Sequence, residues 1–197
     1  MLAIYKLGSL FVSGTIQLKY FEGIIPESEL DLIRSQFGDL GIDFECVDIS
    51  GEPQASIEEF LAPIILYLSS DIIQAYILGL ATSSSYDIIK TSVISIWRHI
   101  SGKTIRKTTP NEVESVAANF DLDINTIGRT RVKFKLKGDI PDSLKEKCVD
   151  KAFQLLEAKA FPEIRTGYVC LYNVEHDEWE IFEDLEFVRK FVKPKDG

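Results

Sequence analysis

The sequence predicts an α+β fold: a mainly antiparallel sheet with helices on one face, built from two β-α-β-like halves and distantly ferredoxin-like in plan. Three observations carry that expectation. Several short stretches alternate apolar and polar residues with the period of a half-buried strand. Two of these run into helix-like segments through nearly the same phrase, EGIIPESELDL from Glu22 and KGDIPDSLKEK from Lys137. Between the halves, residues 56–107 read as an apolar helical insertion within a single compact domain spanning 1–197.

The first half begins with GTIQLKYF, where Ile16, Leu18 and Tyr20 alternate with Thr15, Gln17 and Lys19. Pro26 and Ser28 then punctuate the chain. Leu30, Ile33 and Phe37 recur at helical spacing until Gly38 and Gly41, and IDFECVDI reads as a second strand. In the insertion, Ser56 and Glu59 have the spacing of a capping box. From Phe60 to Ala81, 16 of 22 residues are hydrophobic, but Ser69, Ser70, Asp71 and Gln74 interrupt the run. A spanning helix needs about 20 consecutive apolar residues, so this stretch predicts buried helices and not a membrane span. After the serines at 83–85, Ile89, Val93, Ile96 and Ile100 share a helix face with Trp97 beside it.

The second half opens on a predicted hairpin. Phe120, Leu122 and Ile124 alternate on one side and Val132, Phe134 and Leu136 on the other, with Gly128 at the turn. Pro141 and Ser143 precede a helix marked by Leu144, Cys148, Ala152 and Leu155 or Leu156. GYVCLYNV and EWEIFED are strands joined by a polar turn, and a last helix carries Leu185, Val188 and Phe191 or Val192 on one stripe. The repeated phrase is then local grammar. Proline presets φ for a first helical turn, and an acid beside a serine supplies a cap and favourable dipole charge.

Bulk properties narrow the function. The chain has 197 residues, 45% of them hydrophobic, with net charge −9. That charge disfavours an affinity built on phosphate contacts, so nucleic acid is not the expected partner. Residues 1–100 hold 5 Lys and Arg against 13 Asp and Glu, and residues 101–197 hold 17 against 18. Cys46, Cys148 and Cys170 are odd in number, lack metal spacing and sit at apolar-phase positions. They read as buried reduced thiols rather than a disulfide framework. The first residues, MLAIYKLGSLFVSG, lack the basic region and apolar length of a secretory signal, so a cytoplasmic location is expected.

The motif search leaves no catalytic, metal or cofactor site. SGKT at Ser101–Thr104 resembles the end of a phosphate-binding loop, but Trp97 stands where that loop needs glycine. It also follows a helix instead of preceding one, so Gly102 reads as a C-cap flanked by Arg98 and Lys103. RTRVKFKLK places Arg129, Arg131, Lys133, Lys135 and Lys137 on one strand face. The hairpin register sets Asp123 opposite Lys133 and Asp121 opposite Lys135, predicting a solvated face of cross-strand ion pairs. EHDEWE, from Glu175, reads as an exposed acidic turn around His176, and no base lies beside Cys170 to lower its pKa.

By elimination the sequence points to a cytoplasmic, non-enzymatic interaction or regulatory module, inhibitor- or immunity-like. It would act through the apolar helical region and the acidic N-terminal half on a basic protein, or on a second copy of the chain. Trp97, Tyr76 and Tyr86 are the expected contact residues, since aromatics dominate interface energetics. The alternatives are an enzyme with a site assembled from distant residues, such as His99 with Asp71 or Asp87, and peripheral membrane association through residues 60–100.

Overall fold

The computed structural model describes residues 14–50, 64–77, 83–108, 113–126, 130–138, 140–162 and 166–191. The elements are β1 (Thr15–Tyr20), α1 (Glu27–Asp39), β2 (Asp43–Asp48), β3 (Ile64–Leu68), α2 (Ser70–Ile77), α3 (Ser83–Ile100), β4 (Thr104–Thr108) and β5 (Val113–Ala117). They continue with β6 (Phe120–Asn125), β7 (Arg131–Leu136), α4 (Asp142–Glu157), β8 (Tyr168–Asn173), β9 (Glu178–Glu183) and α5 (Asp184–Phe191). The fold is α+β. Seven strands form one sheet in the order β2-β1-β3-β6-β7-β8-β9, and β4 with β5 forms a separate ribbon.

The sheet is mixed, which corrects the expectation of a mainly antiparallel one. β1 pairs parallel with β2, β3 with β6, and β7 with β8, while β1–β3, β6–β7 and β8–β9 are antiparallel. The reason is that each β-α-β unit returns directly beside its own first strand. A ferredoxin-like plan splits that unit with an intervening strand, and none intervenes here. The expectation of an all-helical stretch over 56–107 is also corrected, because Ile64–Leu68 is a central strand. IILYL buries Ile64, Leu66 and Leu68 on one face, so its apolar run is that of an interior strand. The capping box at Ser56 and Glu59 lies outside the described residues, as does Gly128.

One continuous apolar row runs across the sheet in register: Leu18, Leu66, Leu122, Phe134 and Cys170. Helices α1 to α4 pack on this face. Leu30, Ile33 and Phe37 of α1 join the same cluster as Ile72 and Ile73 of α2, Val93 and Ile96 of α3, and Val149 and Phe153 of α4. Each fully buried aliphatic side chain contributes roughly 1.5–3 kcal/mol. Helix α5 packs on the opposite face, where Phe187 meets Val169 and Phe182. The expected stripe on α5 therefore points outward at Leu185 and Val188, which are exposed, while Phe187 turns in.

Strands β1, β2, β7 and β8 share one direction, and β3, β6 and β9 run against them. The β1–α1–β2 connection steps towards one edge of the sheet and β7–α4–β8 towards the other. Both helices lie on the same face. Equal strand direction, opposite step and a common face require crossovers of opposite hand, so one of them is the left-handed form found in only roughly 2% of such units. A duplicated unit would keep its hand. The repeated Pro-acid-Ser phrase is thus two separate solutions of one local problem.

That local solution differs in one respect from expectation. Pro26 and Pro141 occupy the N-cap positions with φ −61° and −54°, and neither helix has a side-chain cap hydrogen bond. Ser28 and Ser143 therefore do not cap. The proline carbonyls instead accept from the amides of Glu29 and Leu30 in α1, and of Leu144 and Lys145 in α4. Glu27, Glu29 and Asp142 supply the favourable first-turn charge.

Leu66 sits on a central strand at 1% exposure and Leu32 on α1 at 51%. Leu66→Ala is expected to lower unfolding stability by about 2–5 kcal/mol, and Leu32→Ala to change it by less than about 0.5 kcal/mol. Urea titrations of the two variants check both.

Candidate functional site

The two repeated phrases lead into α1 and α4 at the same end of the sheet, beyond the carboxyl ends of β1 and β7. The turn after α3 lies between them. Its helix stops where the amide of Ser101 donates to the Trp97 carbonyl and that of Lys103 to the Ile100 carbonyl. Gly102 takes φ +72°, which an L side chain adopts only with strain. SGKT is therefore a helix stop, as its position after a helix predicts. From that stop the Lys103 Nζ reaches the Ile24 carbonyl at 2.5 Å. On the other side the Ser101 hydroxyl donates to the Trp97 carbonyl at 2.9 Å and meets the Gly138 carbonyl at 3.5 Å. One turn thus tethers both helix-entry loops.

Between this turn, the β5–β6 junction and the end of β7 is a cleft of about 230 Å³. Trp97, Ile100 and Leu136 form its apolar wall, and Ser101, Lys103 and Asn119 supply polar groups at its lining. The sequence carried one usable signal for it, a lysine directly after a helix-stopping glycine. Nothing in the sequence shows that Lys103 meets a carbonyl 79 positions earlier.

The expected contact residues divide. Tyr76 and Tyr86 come together, with ring centroids 5.2 Å apart and stacked. Both set an edge against Phe153, at 5.3 and 5.4 Å, closing the joint between α2, α3 and α4. The Tyr86 hydroxyl donates to Asp150 at 2.5 Å, and Lys90 pairs with the same carboxylate. Burial, then the Asp150 carboxylate, push the Tyr86 hydroxyl well above the usual phenol range. Trp97 is apart from them and is 2% exposed. The Lys145 ammonium lies 5.8 Å from its ring centroid, beside Asp142, which also pairs with Arg98. Trp97 is core that also lines the cleft, with the α4 lysine beside its ring.

The residues weighed for catalysis are not assembled. His99 Nδ1 meets the Ser95 carbonyl at 3.0 Å, one turn back on its own helix. Asp71 and Asp87 are exposed on α2 and α3, and Asp87 stands 12 positions before His99, about 18 Å along the helix axis. Burial pushes the Cys148 thiol up to about 12 and the Cys170 thiol further. Cys46 is half-buried, and its thiol is also raised by burial. Among the described residues no group of three or more His, Cys, Asp and Glu could hold a metal ion. No helix among them is long and apolar enough to cross a membrane. Compared with family models, curated proteins and solved structures, the chain matches none of them.

The basic strand pairs in the expected register, Asp121 with Lys135 and Asp123 with Lys133. The middle of its face is not solvated, which corrects the expectation of an exposed ladder there, while Lys137 is exposed and the Arg131 side chain is 39% exposed. Asp121 and Lys135 are 3% and 5% exposed at the side chain and pair at 2.9 Å. Asp123 is buried and takes Arg131, through Nε at 3.0 and 2.9 Å and Nη2 at 2.6 Å, rather than Lys133. Helix α5 contributes to the cover, with the Phe187 ring 6.0 Å from the Lys135 ammonium. Burial pushes the Asp121 carboxyl up, and the Lys135 ammonium opposes that shift. Arg129 lies outside the described residues.

The acidic turn is anchored and not free. The Asn173 side chain accepts the amides of Glu175 and His176, and Asp177 adopts φ +54°. Lys151 pairs with the Asp177 carboxylate at 2.8 Å and Lys147 at 3.4 Å, and the Tyr172 hydroxyl also donates to it. These donors, Lys151 first, hold the Asp177 carboxyl well below the usual carboxylate range.

Two outcomes follow from these charges. Asp121→Leu leaves Lys135 buried without its partner and should cost about 3–5 kcal/mol, whereas Asp121→Leu with Lys135→Met should recover most of it. A double-mutant cycle in urea measures both. For Asp177 the folded value lies below the unfolded one, so its stabilisation is present above pH about 4 and is lost as pH falls through the folded value. Wild type should therefore exceed Asp177→Asn in urea midpoint at pH 6–7, with the two converging in acid.

Proposed function

We propose that this chain is a non-catalytic protein-binding module, inhibitor- or immunity-like, that meets a basic protein through the acidic edge formed by α1 and β2. Charge segregation in the fold carries the reading. Residues 14–50 contain eight acids and two bases, a net −6 of the whole chain's −9. Glu22, Glu27, Asp31, Asp39, Asp43, Glu45 and Asp48 are all exposed there, and of the two bases Arg34 is paired with Asp31. In the described strand order β2 is an edge strand, and its exposed Asp43 and Glu45 alternate with Phe44, which packs on α1, so acids of α1 and β2 flank this edge from both sides. A single-sign edge of this kind steers a basic partner and raises its association rate.

The described apolar side chains of the helical region are taken up by the core. Ile72, Ile73, Ile89, Val93, Ile96 and Ile100 are buried there, which supports the acidic edge over α2 and α3 as the proposed contact surface. The three cysteines are unpaired, in keeping with a reducing, cytoplasmic setting.

The test is affinity purification from the source cells with wild type and two triple variants of equal charge change. Asp39→Lys, Asp43→Lys, Glu45→Lys reverses the proposed edge. Glu175→Lys, Glu178→Lys, Glu183→Lys alters exposed acids at the far end of the sheet. A stoichiometric basic protein recovered by wild type and the far variant, released by salt and lost with the edge variant, is the expected result. Wild type recovered alone, or equal loss in both variants, overturns the reading.

A further inference from the structure

The cleft at the SGKT turn lies beside the carboxyl end of β7, where Leu136 and Gly138 join its lining. Its other walls are the end of α3 and the β5–β6 junction, and the Ile24 carbonyl that Lys103 reaches belongs to the loop after β1. Its composition is selective. In a chain of net charge −9, none of the described residues that line it is acidic, and Lys103 is the charged one among them. The Lys103 ammonium gives one of its three protons to the Ile24 carbonyl, a neutral acceptor that leaves its charge uncompensated by that contact. The Ser101 hydroxyl and the Asn119 amide add neutral polar groups on the lining. Trp97, Ile100 and Leu136, each at 2% exposure or less, add the apolar part of the lining.

From this arrangement we infer that the cleft is a binding site for a small monocarboxylic acid with an apolar body. One ammonium matches one negative charge, and a charge-assisted hydrogen bond to it is about twice as strong as a neutral one. The apolar part of the lining requires that the rest of the ligand be uncharged. At about 230 Å³ the cleft falls below the roughly 300 Å³ at which drug-sized pockets begin. A phosphate dianion fits less well. The turn follows a helix, so its amides do not form the cradle at a helix N-terminus that a phosphate-binding loop presents. The inference is independent of the acidic edge, which lies on other residues.

Titration of ¹⁵N-labelled full-length protein with benzoate, benzamide and inorganic phosphate tests it. Benzoate should shift the Gly102 and Gly138 amides and the Trp97 indole N–H in a saturable manner. It should bind at least about tenfold more tightly than the isosteric but neutral benzamide. Lys103→Met, at an exposed position, should keep a dispersed native spectrum and lose that discrimination, while Lys103→Arg should retain it. Three results would overturn the inference: no saturable shift at the cleft up to about 10 mM benzoate, equal binding of benzamide, or a folded Lys103→Met variant that binds benzoate as wild type does. Phosphate binding more tightly than benzoate would overturn the assignment to a carboxylic acid.

Discussion

Everything else in this protein rests on the parallel pairing of β3 with β6. The two β-α-β units lie on opposite sides of that pair, and through β1–β3 and β6–β7 it joins their strands into one sheet. Its register sets Leu66 beside Leu122, and the apolar row from Leu18 to Cys170 is continuous only because of that alignment. A shift of one residue would exchange the two faces of a strand. Asp121 and Asp123 would then point into the helix-covered core, away from Lys135 and Arg131. The buried Asp121–Lys135 pair and the apolar row are therefore two sides of one constraint. Half of a buried ion pair is costly, so the polar face specifies the register as firmly as the apolar one.

Helix α3 is the second organising element. Its long apolar stripe rests on the middle of the sheet. Its flanks meet α1, through Ser95 and Glu29, and α4, through Arg98 and Asp142. Its C-terminal stop carries Lys103 and Ser101 to the two helix-entry loops. Cleft geometry is thereby tied to helix packing: the turn cannot move without disturbing both loops. The acidic edge is separate from this machinery. Its charges ride on α1 and on an edge strand, where solvent sustains them at little cost. A cleft of one character and an edge of another can thus coexist without competing for the same residues.

Much of the architecture was legible in local pattern. The alternation at Ile16 and Leu18, the helical spacing of Leu30, Ile33 and Phe37, and the hairpin register aligning Leu122 with Phe134 are all present in the structure. The Gly102 stop could be read because a helix end needs a residue tolerant of positive φ. The run around Ile64 could not be read correctly. A short continuous apolar segment has no period that separates a buried strand from a buried helix, and only its neighbours β1 and β6 decide. The stripe on α5 misled for a related reason. Leu185 and Val188 share a helical face, but Phe187 offers a larger apolar surface on another, and the sheet took the larger one.

By itself the sequence determined the local conformations, since periodicity, proline and glycine act within a few residues of where they stand. It also determined the excess of acid in the first half and the absence of any recognisable catalytic signature. Tertiary structure decided which strands lie side by side, which hand each crossover takes, and which charges are buried. It buried Trp97, and it buried the Asp121–Lys135 pair of a basic strand expected to be solvated. It also brought a lysine to a carbonyl 79 positions away beside a cleft. Those outcomes depend on contacts between residues far apart in the chain, whose energies are set by packing and desolvation that no local window contains.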